Sequence, residues 1–191
     1  MADDLGMGAA DVHARAREVL GFWFSLTPEQ HFAKSERLDA EIKERFAALR
    51  ETVWASKAEG WRDDPETLLA AIIVLDQFSR NIFRGSAEAF AADKLAQELT
   101  LEAIDKGWDG GMTGERQQFL LMPLMHAEDE ALQDLCVDKF EALGDIQALQ
   151  YAHQHAGAII RFGRFPTRNA ALGRESTELE KEYLSQPDAG W

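Results

Sequence analysis

Apolar residues recur at spacings of three and four along almost the whole chain, which places them on one face of an α-helix. The first such face carries Val12, Val19 and Trp23. The second carries Ile42 and Phe46. No stretch combines the alternation of a β-strand with enrichment in β-branched residues. The sequence therefore predicts an all-α fold of about eight helices in stacked antiparallel pairs, without a β-sheet.

Length and composition are those of one folded unit. The chain has 191 residues, of which 46% are hydrophobic, so it can bury a sizeable core, and we expect a single all-helical domain over residues 1–191. The longest purely apolar run, 68–75, is far shorter than the roughly 20 residues that cross a bilayer. We expect no membrane association.

The formal net charge of −14 argues against binding to nucleic acid or to an anionic membrane surface, because both favour a basic face. The single cysteine, Cys136, excludes an intrachain disulfide and fits a reducing compartment. Its apolar neighbours indicate a buried side chain rather than a nucleophile. Because the N-terminus lacks the basic-then-apolar order of a signal peptide, we expect a cytoplasmic protein.

Local signals mark several helix ends. Thr27 and Gln30 can form a capping box around a short helix, and Asp64 can cap a helix that runs to about residue 83. Gly163 suits a helix C-terminus. Further helices are expected over 87–106, from Thr113 to a bend or stop at Pro123, from Asp129 to Leu143, over 146–162, and over 176–184 beginning at a Ser176 cap.

The central helix changes character after residue 75. Another apolar turn is expected there, but the sequence instead has five polar residues, Asp76, Gln77, Arg80, Asn81 and Arg84. Residues four apart are neighbours on one helix face, so these side chains form one polar patch. The patch is either an internal ion pair with amide hydrogen bonds, or the floor of a site in which Asp76 orients an arginine toward a ligand.

A second polar stretch, residues 156–174, contains four arginines and no acid in this strongly acidic chain. The guanidinium fork matches carboxylate and phosphate oxygens two at a time. The alternative is that these arginines pair with acids of the same protein, such as Asp76 or Glu128. The arginines are Arg161, Arg164, Arg168 and Arg174, and Asn169 lies among them.

Two histidines are candidates for proton transfer. His126 and His155 could serve as acid or base because imidazole titrates near neutrality, or each could be an ordinary hydrogen-bonded side chain. His153 and His155 are two residues apart on a helix, so they cannot chelate one metal ion. No His-x-x-x-His or Cys-x-x-Cys spacing occurs. The sequence therefore predicts no metal site and no cofactor.

Four separated motifs resemble one family. They are the strings LDQFSRNIFRG at 75–85, LMPLMHAE at 121–128, RFGRFPTRN at 161–169 and LGREST at 172–177, preceded by Phe22-Trp-Phe24. Together they resemble the family labelled domain of unknown function 924. The resemblance implies a tetratricopeptide-like all-helical fold and no established reaction. Thr167 stands where the family pattern usually has His, which weakens an acid–base role. The polar residues of the motifs are Asp76, Gln77, Arg80, Asn81, Arg84, His126, Glu128, His155, Arg161, Arg164, Arg168, Asn169 and Arg174.

Three functional hypotheses follow. The first is a helical-repeat-like binding protein in which Arg80, Arg84, Arg164 and Arg168 line a pocket for a phosphate- or carboxylate-bearing small molecule or an acidic peptide end. The second is a hydrolase or lyase acting on such an anion, with His126 or His155 as acid or base. The third is a structural adaptor that binds protein partners through a helical groove.

Overall fold

A computed structural model describes residues 8–186 as helices joined by short loops, and this part of the chain contains no β-strand. The predicted all-α class is confirmed. The α-helices are α1 (Ala9–Trp23), α2 (Pro28–Phe32), α3 (Glu36–Ala55), α4 (Pro65–Ile73), α5 (Ser79–Ile82), α6 (Asp93–Asp105), α7 (Gly114–Met125), α8 (Glu130–Leu143), α9 (Ile146–Phe162) and α10 (Glu178–Leu184).

One large apolar cluster holds most of these helices together, and none of its buried residues comes from α2 or α10. Helix α1 packs against α4, and α8 packs against both α7 and α9. Every residue of α4 from Thr67 to Ile73 is buried, as the all-round apolar sequence predicts for a central helix. Burial of apolar side chains on this scale is the main force that favours folding. The largest buried aromatic side chains are Trp23, Trp61, Phe46, Phe78, Phe119 and Phe140.

The predicted helix caps are present. The Thr27 hydroxyl accepts a hydrogen bond from the backbone N–H of Gln30, and the Gln30 side chain accepts one from the N–H of Thr27. The Asp64 carboxylate accepts hydrogen bonds from two N–H groups at the start of α4. Gly163 ends α9 in the left-handed region at φ 69°. Caps of this kind contribute on the order of 1 kcal/mol each.

The segment after α5 differs from the prediction of one helix over 87–106. It forms a 3₁₀ turn, Ala87–Phe90, and α6 begins only at Asp93. The carboxylate of Asp93, the first residue of α6, is buried and binds Arg80 and Arg168. Helix α10 also starts later than expected, because Thr177 forms its capping box with Glu180.

Two helix interiors contain local departures. Helix α7 continues through Pro123 to Met125, so this proline does not stop it. Between α4 and α5, residues Val74–Phe78 form a wider π-helical turn, and all of them are buried. The carbonyl of Asp76 in this turn accepts a 2.8 Å hydrogen bond from Nη1 of Arg80. Such turns are frequent at functional sites.

Candidate functional site

A buried carboxylate joins the central helix to the end of α7. Asp76 Oδ1 lies 2.8 Å from Nδ1 of His126 and 3.0 Å from Nη1 of Arg80, and its side chain is 1% exposed. The other oxygen, Oδ2, accepts a 2.6 Å hydrogen bond from the amide of Gln77. The wide turn and the C-terminus of α7, where His126 follows Met125, bring these groups together.

Asp93 is shared by two arginines. Arg80 donates to both of its oxygens at 2.9 and 3.0 Å. Arg168 donates to Oδ2 from Nη1 at 3.1 Å, and its Nη2 donates to the backbone carbonyl of His126 at 2.9 Å. Asp76, Arg80, Asp93, His126 and Arg168 are therefore one connected group, which we name the central polar cluster.

Two aromatic rings hold the guanidinium of Arg168. Its central carbon lies 4.6 Å from the ring centroid of Phe90 and 4.7 Å from that of Phe165. Phe90 also lies 5.7 Å from the guanidinium carbon of Arg80. Cation–π contacts of this geometry favour the charged guanidinium and fix its orientation. The side chain of Arg168 is 11% exposed, so the cluster lies just beneath the surface.

Glu128 makes a second junction beside this cluster. It accepts hydrogen bonds from the backbone N–H of Phe165 at 2.7 Å and from both terminal nitrogens of Arg174 at 2.7 and 2.9 Å. Arg174 also donates to the Phe165 carbonyl and, through Nε, to Asn169. The acidic residue of the LMPLMHAE motif is thus bound to the arginine of the LGREST motif.

Two of the four arginines expected in one pocket lie in other ion pairs. Arg84 binds Asp39 on α3 through Nε at 2.6 Å and Nη2 at 2.8 Å, and Asn81 donates to the same carboxylate. Arg164 binds Glu180 on α10 at 2.7 and 2.9 Å. The structure brings Arg80 and Arg168 together and leaves Arg84 and Arg164 with separate acids.

The other sequence candidates occupy different surroundings. Arg161 is exposed and stacks on the ring of its neighbour Phe162 at 4.7 Å. His155 is buried, its Nδ1 lies 2.8 Å from the carbonyl oxygen of Tyr151, and its ring centroid is 6.2 Å from that of His126. Thr167 is exposed.

The protonation states in the cluster follow from burial and charge. Burial by itself would raise the pKa of Asp76, but the charge of Arg80 and the bond to His126 outweigh it and hold the pKa below its ordinary range. Burial and the charge of Arg80 lower the pKa of His126. A neutral His126 beside an ionised Asp76 carries its proton on Nδ1, so Nε2 is left with a lone pair that can accept a proton.

Burial also shifts two neighbouring groups. Desolvation, followed by repulsion from Arg80, lowers the pKa of Arg168 to about 10, although Asp93 opposes the shift. Desolvation lowers the pKa of His155 to about 3. Arg168 is therefore the arginine of the cluster whose charge is least compensated by its surroundings.

Sequence reasoning missed Asp93 and Phe90. Both residues lie in the stretch that was predicted as one continuous helix. An acidic residue in the middle of a helix is normally expected to face solvent, so Asp93 did not stand out. Acidic residues are favoured in the first turn of a helix, so Asp93 could have indicated that a helix begins there. Within residues 8–186, no group of three His, Cys, Asp or Glu side chains is placed to hold a metal ion. No helix in that range is long and apolar enough to cross a membrane.

The fold and the cluster define an all-α protein with a buried arginine–carboxylate–histidine network. The chain belongs to the family described as bacterial protein of unknown function (DUF924), whose model matches residues 19–188. A solved structure of the protein of unknown function ATU0120 from Agrobacterium tumefaciens is similar, with a TM-score of 0.87 and 36% identity over 92% of this chain and 99% of that one. A search of curated proteins gave no match.

Proposed function

We propose that this protein binds a small phosphate- or carboxylate-bearing ligand at the central polar cluster, with Arg168 as its main donor. The observation that carries this proposal is that Arg168 contacts the carboxylate of Asp93, which it shares with Arg80, whereas Arg80 also binds Asp76. Asp76 and Asp93 together balance the two guanidinium charges. Both oxygens of Asp93 accept hydrogen bonds from Arg80, so Arg168 is the less strongly paired arginine and the one that an added anion would stabilise.

The surroundings of Arg168 support the same proposal. The lowered pKa of Arg168, caused by burial and by Arg80, means that its charged form is held at a cost that an added anion would reduce. Phe90 and Phe165 fix its plane, so little side-chain freedom remains to be lost on binding. Ionic hydrogen bonds are also stronger in such a weakly polar environment than in water.

Thermal unfolding in a buffer without phosphate, with added sodium phosphate or sodium succinate, tests this proposal. Either anion should raise the midpoint, since a ligand at 100 times its Kd stabilises the native state by about 2.7 kcal/mol. The rise should disappear in Arg168→Gln and persist in Arg161→Gln, which changes an exposed arginine of the same stretch. Sodium chloride at equal ionic strength is the control for screening. Equal stabilisation of the three proteins, or none, would contradict the proposal.

A second candidate, a hydrolase or lyase acting on such an anion, is favoured by the 2.8 Å Asp76–His126 contact. A buried carboxylate that orients an imidazole is the arrangement by which enzymes prepare a general base. Nε2 of His126 would then move the proton while Arg168 holds the anion. A screen of phosphate and carboxylate esters should give turnover that His126→Gln abolishes without weakening phosphate binding. Turnover that survives in that variant would count against the role of His126.

The tetratricopeptide-like arrangement, the adaptor role and the cytoplasmic location stay proposals. The adaptor hypothesis treats the polar motifs as structural. The ion pairs of Arg84 with Asp39 and of Arg164 with Glu180 support that part of it, because arginines paired in this way can stabilise the fold without binding a ligand. Loss of cooperative unfolding in Arg168→Gln, without any anion effect in the wild type, would favour it over the binding proposal.

A further inference from the structure

The chain after α9 forms a unit with its own polar crosslinks, which we name the C-terminal segment (residues 163–184). Arg164 near its start binds Glu180 in α10 through two hydrogen bonds of 2.7 and 2.9 Å. Asn169 donates to Ser176 Oγ at 3.0 Å and accepts from Nε of Arg174 at 3.0 Å. These bonds join the beginning, middle and end of the segment, so it can move as one body.

Apolar packing attaches this segment weakly to the rest of the molecule. In the described part of the chain, the buried residues of the large core cluster end at Ala152. The buried apolar side chains of the segment are Pro166 and Phe165, and Phe165 lies in a small separate cluster with Ala158 and Ile159 of α9. The ring of Tyr183 also lies 5.2 Å from that of Phe162. Burial of one such ring contributes about 2–3 kcal/mol. The apolar contacts of the segment are few beside those of the large core cluster.

Polar contacts instead hold the segment over the central polar cluster. Arg168 reaches Asp93 at 3.1 Å and the His126 carbonyl at 2.9 Å. Glu128 receives the Phe165 N–H at 2.7 Å and the two nitrogens of Arg174 at 2.7 and 2.9 Å. Water can replace these partners once the segment separates, so each bond opposes opening by less than its strength in the closed cluster.

The junction with α9 suits a hinge. Gly163 ends the helix at φ 69°, and nothing lies within 4 Å of the position that a side chain would occupy there. A glycine at such a position tolerates a wide range of backbone angles. Helix α9 itself is anchored through Ala148 and Ala152 in the large core cluster. A rotation at Gly163 therefore moves the C-terminal segment without disturbing the core.

We infer that the C-terminal segment is a lid, hinged at Gly163 and latched by Glu128, that opens to admit a ligand to the central polar cluster. The identity of the ligand rests on the proposed function, whereas the opening is a property of the protein alone. In the open state, Arg168 and Phe165 leave Asp93, His126 and the neighbouring side of the cluster to solvent. Closure returns Arg168 and so completes the anion site.

Hydrogen exchange of the unliganded wild type at low urea concentrations tests the lid directly. The amides of 165–184 should exchange through a local opening. The free energy of that opening should fall less steeply with urea concentration than the free energy of the opening that exposes α4 (Pro65–Ile73). The exchange rates should differ by at least about tenfold, since the segment has few core contacts. The same urea dependence and rate for both regions would mean that the segment unfolds only with the whole protein, and the inference would be wrong.

Glu128→Gln tests the latch, because a neutral amide oxygen accepts weaker hydrogen bonds than the carboxylate. Exchange in 165–184 should become about tenfold faster or more, with α4 unchanged. Glu178→Gln, which changes an 89% exposed acid on α10, should leave exchange at 165–176 unaltered. No acceleration in Glu128→Gln, or an equal one in Glu178→Gln, would overturn the latch.

Added sodium phosphate separates this inference from the proposed function. Slower exchange of 165–184 in phosphate supports an anion bound beneath the lid. If Glu128→Gln accelerates exchange and phosphate leaves the wild type unchanged, the lid is supported and the anion proposal fails. If phosphate stabilises the protein but 165–184 exchanges only with α4, the binding proposal stands and the lid fails.

Discussion

The buried His155 should make the stability of this protein depend on pH between 7.5 and 5. Desolvation lowers the pKa of His155 to about 3 from an ordinary value of 6.5, so near pH 5 the unfolded chain binds a proton that the folded chain does not. Because the unfolded state then binds more protons, stability rises with pH and is lost as pH falls below the unfolded pKa. One pKa unit corresponds to about 1.4 kcal/mol.

The size of the effect follows from these two pKa values. At pH 7.5 the linkage is close to zero, and at pH 5 it reduces the free energy of unfolding by about 2 kcal/mol, since pH 5 lies about 1.5 units below the unfolded value. The lowered pKa of His126 acts in the same direction. The lowered pKa of Asp76 contributes stability that is lost only near and below its ordinary value of 3.8. Histidines therefore dominate the pH 5–7.5 window.

Urea denaturation of His155→Gln at pH 7.5, 6 and 5 measures this contribution. Glutamine can still donate to the Tyr151 carbonyl but does not titrate, so the decrease in unfolding free energy should shrink by about 2 kcal/mol relative to the wild type. His153→Gln, an exposed histidine on the same helix, should keep the wild-type decrease. A wild type equally stable at pH 7.5 and 5, or a His155→Gln variant with the wild-type pH dependence, would refute the reasoning.

Two further predictions concern buried groups. Asp76→Asn should lower the free energy of unfolding by about 3–5 kcal/mol, because it removes the buried partner of Arg80 and His126. Urea denaturation checks this, and a loss no larger than the roughly 0.5 kcal/mol expected for the exposed Glu178→Gln would contradict it. Burial raises the pKa of Cys136 to about 12, so a thiol-specific reagent at pH 8 should modify it only on unfolding. Rapid labelling of the folded protein would show that the thiol is accessible.

Local features of the fold could be predicted from the sequence because neighbouring residues determine them. The capping box of Thr27 and Gln30, the Asp64 cap and the Gly163 terminus each depend on side chains within a few positions. The interruption before α6 could not be predicted this way. The arginines that bind Asp93 lie 13 and 75 residues away in the sequence, and no periodicity in 87–106 indicates those contacts.

The candidate site was predictable in composition and only partly in arrangement. Asp76, Arg80, His126 and Arg168 were expected from the sequence, whereas Asp93, which links Arg80 to Arg168, was not. The acids that bind Arg84 and Arg164 depend on tertiary packing. A one-dimensional charge pattern identifies arginines without acidic neighbours in sequence, but it does not reveal which acids the fold brings to them.

The wide turn at Val74–Phe78 has a consequence for the rotational register of the central helix. Each residue of an α-helix advances the chain by about 100° around its axis, whereas the wide turn fits one extra residue into nearly the same rotation, so the side chains after it keep their direction. Deleting one residue there would restore regular winding with Arg80 and Arg84 still directed toward Asp93 and Asp39, whereas a deletion in the regular helix before it would rotate both arginines by about 100°. The turn thus holds one more residue in the buried part of the helix, together with the Asp76 carbonyl that binds Arg80, without redirecting the two ion pairs.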